Sequence, residues 1–118
     1  MLTYYHMVVD EVDRVFHALA DATRRDIVLR TLRTEYSVSG LARLYPMTFA
    51  AVQKHVAVLH DAGLVSKRRS GREQLVSGDI EAVRRAAGLL GRFENVWRER
   101  IGRMDQVLAE DDEDGETA

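Results

Sequence analysis

The sequence predicts a mainly α-helical protein with one small β-hairpin. Three observations carry that expectation. Apolar side chains recur at steps of three and four through four separate segments. Residues able to cap a helix stand just before several of them. Two short segments flank a Ser-Gly pair between residues 64 and 77, which suits a tight hairpin.

A first helix is expected from about Asp10 to Ala20, with Val12, Phe16 and Leu19 on one side. Asp21 is placed to cap a second helix whose inner positions are Ile27, Val28 and Leu32. Ser37 can cap a short third helix carrying Leu41 and Leu44, and Pro46 forbids its continuation. Thr48 can cap a fourth helix, and Gly63 can end it. The hairpin occupies 64–77, with Ser70-Gly71 as its two-residue loop. A long helix then runs from Asp79 to about Leu108, with Val83, Ala86, Leu90, Phe93, Trp97, Ile101, Met104 and Leu108 on one seam.

At 118 residues, one folded domain over 1–109 and an acidic disordered tail over 110–118 are expected. The chain has no cysteine, which excludes disulfides and thiolate metal sites. It contains no apolar run of membrane-spanning length and no signal-peptide pattern at its start, so a cytoplasmic location is expected, without a membrane partner. The net charge of −2 hides a segregation. Six acids lie in "EDDEDGE"; without them 17 basic side chains stand against 13 acidic ones. Residues 22–78 hold ten Lys and Arg against four acids, which points to a polyanionic partner.

The segment "FAAVQKHVAVLHDAG" has two faces. Ala51, Val52, Val56, Leu59 and Ala62 form an apolar arc, while Ala50, Gln53, Lys54, Ala57 and His60 lie opposite. A short helix, a turn at Pro46 and this second capped helix make a helix-turn-helix, and the basic hairpin adds a wing. In such a unit the second helix enters the DNA major groove with its N-terminal residues toward the bases. Its free face is small enough to approach and polar enough to read. Thr48, Phe49, Ala50, Gln53 and Lys54 are therefore the candidate groove residues, with Gln53 suited to adenine and Lys54 to guanine or phosphate. Thr48 and the helix N-terminus suit a phosphate. Lys67, Arg68, Arg69 and Arg72 are the candidate wing contacts to phosphate or a narrow minor groove.

The segments "HALADATRRDIV", "LA…PMTFAAVQKHVAVLHDAGLV" and "SKRRSGR" together resemble the ArsR family of winged-helix repressors. The end "LLGRFENVWRERIGRMDQVLAED" is similar to members without a metal site. The resemblance covers about residues 10–110. It implies a homodimer, joined through the first and last helices, on a palindromic operator. Val12 and Phe16 on the first helix and Leu90, Phe93, Trp97, Ile101 and Met104 on the last are the corresponding interface candidates. Three positions depart from the family pattern: Ala22 for proline, Gly40 for a helix former, and Leu75-Val76 for an aromatic pair.

Some residues carry two readings. His55 projects inside the arc of Val52 and Leu59, which favours a structural or phosphate-anchoring role over base contact. His60 lies far along the outer face and reads as solvated. Phe93 and Trp97 share the period of the seam, which favours a dimer contact over an effector pocket. The acidic tail reads as solubilising, or as a DNA mimic competing for the wing. The resemblance sets Asp79 and Glu81 at the first half of a family metal site, but Arg92 and Asn95 at the second, and arginine cannot ligate. His6, His17 and Asp13 are too scattered to form a cluster on their own. No metal, cofactor or small-molecule effector is assigned, and no acid–base pair, activated nucleophile or phosphate-cradling loop suggests an enzyme. The competing function is a winged-helix module that uses the Trp97 seam to bind another protein and leaves DNA alone.

Overall fold

The computed structural model describes the backbone of residues 2–116 and the side chains of residues 10–111. Its elements are α1 (Leu2–Leu19), α2 (Ala22–Arg33), β1 (Tyr36–Ser37), α3 (Val38–Ala42), α4 (Phe49–Asp61), β2 (Val65–Ser70), β3 (Glu73–Gly78) and α5 (Ile80–Glu116). The chain divides into two compact units, Met1–Ala86 and Ala87–Ala118.

Three helices begin where a side chain can satisfy the free N–H groups of a first turn. Asp21 accepts from the Arg24 N–H at 3.0 Å, Ser37 from Gly40 at 2.9 Å and Thr48 from Ala51 at 3.1 Å. α4 ends in a Schellman motif. Gly63 takes a φ of 76°, its N–H bonds to His60 O at 3.0 Å, and the Leu64 N–H bonds to Leu59 O at 2.9 Å. A side chain at that φ would be strained, so glycine permits the reversal that sends the chain from α4 into β2.

The sheet has the order β1-β3-β2, antiparallel throughout. Its register pairs Ser70 with Glu73, so the hairpin turn is Gly71-Arg72, one residue later than the sequence suggests. Gly71 has φ 62° and no non-glycine residue among those described has a positive φ. That is the pattern of a type II′ turn, in which glycine must be first. The strand alternation around Val65 and Val76 fixes the register, because slipping by one residue would turn both out of the core.

The core of the first unit is built from Val15, Ala18, Ile27, Val28, Val38, Leu41, Val52, Val56, Leu59, Leu64, Val65, Val76, Ala82 and Ala86. α4 packs against α1, α2, α3 and β2 around it. Val76 is fully buried, so the wing root packs without the family's aromatic pair.

Several expected details differ. α1 starts at Leu2, well before the expected Asp10. Its buried positions are Val15 and Ala18, while Phe16 and Leu19 are partly buried beside them. In α2, Thr31 is buried and Leu32 is at the exposed margin. Thr31 tolerates burial because its hydroxyl donates to Ile27 O at 2.7 Å. α3 stops at Ala42, leaving Leu44 outside the helix and exposed. α5 passes Leu108 and residue 110 and continues to Glu116, so the backbone of 110–116 is helical where an irregular tail is expected. Propagation of an established helix costs little, and Ala109 and Glu110 are good helix formers.

Two glycines should respond oppositely to alanine. A Cβ on Gly78 would lie 2.8 Å from the backbone N of Leu32, whereas one on Gly88 would meet nothing within 4 Å. Thermal melts should show Gly78→Ala destabilised by about 1–3 kcal/mol through overpacking. Gly88→Ala should gain up to about 1 kcal/mol of helix stability. A neutral Gly78→Ala would mean that β3 does not approach α2 this closely.

Candidate nucleic-acid interface

α4 buries Val52, Val56 and Leu59 and leaves Ala50, Gln53, Lys54, Ala57 and His60 exposed. The candidate groove residues Thr48, Phe49, Ala50, Gln53 and Lys54 are thus gathered on one free surface at the start of the helix. Phe49 is 47% exposed in the first turn. The Thr48 hydroxyl oxygen is already used as a cap, which leaves the other first-turn N–H groups directed outward. A helix N-terminus carries partial positive charge, so this end of α4 suits an anion.

His55 is half-buried, and its surroundings give it a structural role. Arg24 donates from Nε to Ala18 O at 2.7 Å and from Nη2 to His17 O at 3.1 Å. Its Nη1 lies 3.3 Å from His55 Nδ1. Arg24 therefore joins the carbonyl end of α1 to the middle of α4, with Asp21 3.9 Å from the same imidazole nitrogen. The Arg24 backbone N–H holds the Asp21 carboxyl below its usual range, helped by His55 and Arg24 charge.

A second lock holds the turn. The Tyr45 hydroxyl donates to Asp26 Oδ2 at 2.5 Å, and Arg30 Nε donates to the same oxygen at 2.8 Å. Tyr45 stands directly before Pro46, so this bond ties the α3–α4 turn to α2. Burial and Asp26 push the Tyr45 hydroxyl up to about 12, and the Tyr45 and Arg30 bonds hold Asp26 low. Sequence reading missed both locks. Their partners are 19 and 31 positions apart, so no local pattern announces them.

The wing cations separate. Strand alternation sets Lys67 and Arg69 on one face, in register with Val76 and Gln74, and Arg68 on the other, opposite Leu75. Arg68 donates to Glu35 from Nε at 3.0 Å and from Nη2 at 2.7 Å. Ser77 donates to the same carboxylate at 2.9 Å. The Arg68 bonds hold Glu35 low and raise Arg68 in return. Arg68 therefore fastens the wing to the α2–β1 connection, while Arg69 and the turn residue Arg72 have no ion-pair partner among the described residues.

Of the interface candidates on α1, Val12 is half-buried and Phe16 packs against its own core. On α5, Leu90, Phe93, Trp97, Ile101 and Met104 are all exposed, Phe93 to 68% and Trp97 to 55%. The Arg100 guanidinium sits 5.7 Å from the Trp97 ring centre, within cation–π range.

Comparison with known proteins decides the family. No protein-family model matches the sequence. The chain is 33% identical over 102 residues to the HTH-type transcriptional regulator Rv2034 of Mycobacterium tuberculosis, covering 86% of this chain and 92% of that protein. An ArsR-like transcriptional regulator from Rhodococcus sp. RHA1 superposes with a TM-score of 0.74 at 30% identity, over 91% of this chain and 94% of that one. This chain belongs to the ArsR family of winged helix-turn-helix transcriptional regulators. A further relative in structure is a homodimeric winged helix-turn-helix DNA-binding domain from Mycobacterium bovis, at TM-score 0.60 and 27% identity, covering 82% and 87% of the two chains.

In this ArsR-family chain the residues weighed as metal ligands are otherwise engaged or dispersed. Asp79 accepts from the Glu81 N–H at 2.9 Å, and Glu81 pairs with Arg84 at 2.8 Å. Arg92 and Asn95 are exposed on α5. Asp13 and His17 line an open groove with Asp10, Arg14 and Asp61. The His6 side chain lies outside the described residues, and no three His, Cys, Asp or Glu side chains converge among those described.

The locks make stability fall in acid. Asp21, Asp26 and Glu35 are all held below their ordinary values. Their contribution is therefore complete above an unfolded pKa of about 4 and is lost as the pH falls through the lower folded values. Denaturant titrations should give a plateau near neutrality and a decline below about pH 4. Tyr45→Phe should cost about 1–2 kcal/mol at pH 7 and leave the decline in place. An unchanged midpoint would mean that the Tyr45 bond adds nothing to stability.

Proposed function

We propose that this protein is a homodimeric repressor that binds a palindromic operator in the cytoplasm, with α4 of each copy in a major groove and the β2–β3 hairpin as wing. The observation that carries this reading is the division of α4 into a buried apolar side and a free small-and-polar side that begins at a helix N-terminus. A helix with that pairing of faces fits the groove geometry of helix-turn-helix proteins. Gln53 takes the role of base reader and Lys54 of guanine or phosphate contact. Phe49 and Ala50 border the approach, and Thr48 orders the first turn so that its free N–H groups meet a phosphate. Lys67, Arg69 and Arg72 supply the sequence-independent charge of the wing. Arg68 holds the wing in position through Glu35.

The two copies join through the exposed apolar face of α5 and through Val12 of α1. Residues 1–109 act as the DNA-binding and dimerisation domain and 110–118 as an acidic end. No cofactor, metal or catalytic step enters this function. The homodimeric Mycobacterium bovis relative supports the dimer. An alternative role as a protein-binding module without DNA leaves the free polar face of α4 unused.

Selection of bound fragments from random DNA, followed by mobility shifts at several salt concentrations, tests the assignment. Gln53→Ala should cost about 1–3 kcal/mol on the operator alone and relax preference at one position in each half-site. Those positions should lie about one helical turn apart, or a multiple of it. Arg69→Ala and Arg72→Ala should weaken operator and non-specific DNA alike, each making the salt slope shallower by about one unit. A selected sequence that survives Gln53→Ala but is rewritten by either arginine variant would transfer reading to the wing.

A further inference from the structure

Phe49 opens α4 directly after the Thr48 cap and is 47% exposed. Among the described residues of Met1–Ala86 it is the one exposed aromatic side chain. An isolated exposed apolar residue is ordinary on a protein surface. This one stands in the first turn of a helix whose free face is otherwise small and polar, at the end that meets base edges in a helix-turn-helix. That turn is already fixed. Thr48 Oγ1 accepts from the Ala51 N–H at 3.1 Å, the Val52 N–H bonds to Thr48 O at 3.1 Å, and Val52 is fully buried. The backbone that carries the ring is therefore set before any ligand arrives, which lowers the ordering cost of binding.

Phe49 and Gln53 are both exposed and one turn apart on the same flank of α4. Four residues of helix put them about 6 Å apart along the axis, with only about 40° between their directions. Successive base pairs are about 3.4 Å apart, so the two side chains reach base pairs within about two steps of each other. Their chemistry differs. Gln53 can exchange hydrogen bonds with the edge of adenine. A phenyl ring has no donor or acceptor to offer. Set against guanine, adenine or cytosine, it would cover polar edge atoms and leave them without water or a partner, which costs free energy. Thymine alone presents an apolar group to the major groove, its C5-methyl. Covering that methyl removes apolar surface of both partners from water.

We propose that Phe49 reads thymine: its ring packs on the C5-methyl group of one thymine in each half-site, within about two base pairs of the adenine contacted by Gln53. This rests on the operator binding proposed above and adds a second specificity-determining residue. Phe49 recognises an apolar group, whereas Gln53 recognises hydrogen-bonding atoms.

The test uses the full chain and the operator obtained by fragment selection. Each thymine of a half-site is replaced in turn, in both half-sites together, by deoxyuridine, which removes the methyl group and keeps the base pair. Mobility shifts should show wild type weakened by about tenfold at one thymine within about two base pairs of the position that depends on Gln53. Cytosine in place of that thymine should bind more weakly still, and 5-methylcytosine there should recover part of the loss. Phe49→Ala should bind the thymine and deoxyuridine duplexes equally, and Phe49→Leu should keep part of the methyl preference. Circular dichroism checks that both variants are folded. Failure to select any operator would overturn the DNA-binding reading itself. A selected operator whose thymine methyl groups all prove indifferent would overturn the role of Phe49 and leave DNA binding standing. So would a Phe49→Ala chain that binds both duplexes more weakly yet keeps the full methyl preference, because that is how a merely structural residue behaves.

Discussion

The burial of Val52, Val56 and Leu59 along one side of α4 is the constraint on which the rest of this structure depends. Those side chains can leave water only against α1, α2, α3 and β2, so the core orients α4 by the rotation of one apolar arc. Once that rotation is set, the opposite face is free by necessity. Ala50, Gln53 and Lys54 are exposed because the same helix is anchored elsewhere. The motif therefore presents a small, polar surface without holding it in place by contacts on that surface.

Around this anchor the polar groups act as fasteners between elements distant in sequence. Arg24 connects α1 to α4, Asp26 connects α2 to the turn at Tyr45, and Glu35 connects the wing to the α2–β1 connection. Each involves a carboxylate or guanidinium that remains partly solvated, which limits its net contribution. Their value is geometric. A helix-turn-helix needs its second helix, its turn and its wing in fixed relation, and an apolar core alone tolerates sliding that directional bonds resist.

The wing cations likewise divide between two tasks. Counting Lys67, Arg68, Arg69 and Arg72 along the chain gives one patch. The pleat of β2 sends Arg68 to the face where Glu35 waits and leaves its neighbours free. A basic stretch can thus hold a structural charge beside uncommitted ones, and only the partner met in the folded chain tells them apart.

The sequence by itself determined the helix starts at Asp21, Ser37 and Thr48, the end at Gly63, the two faces of α4 and the apolar stripe of α5. These are local matters, settled by a side chain reaching its own first turn, by glycine's access to positive φ, and by 3.6-residue periodicity. It also carried enough combined pattern to identify the family. It did not determine the turn at Gly71-Arg72, the burial of Thr31 in place of Leu32, the exposure of Leu44, the run of α5 to Glu116, or the partners of Arg24, Tyr45 and Arg68. Hairpin register follows from which strand residues the core accepts, and the long-range bonds follow from elements meeting in space. Only tertiary packing decided them, because each depends on neighbours that the chain order keeps far apart.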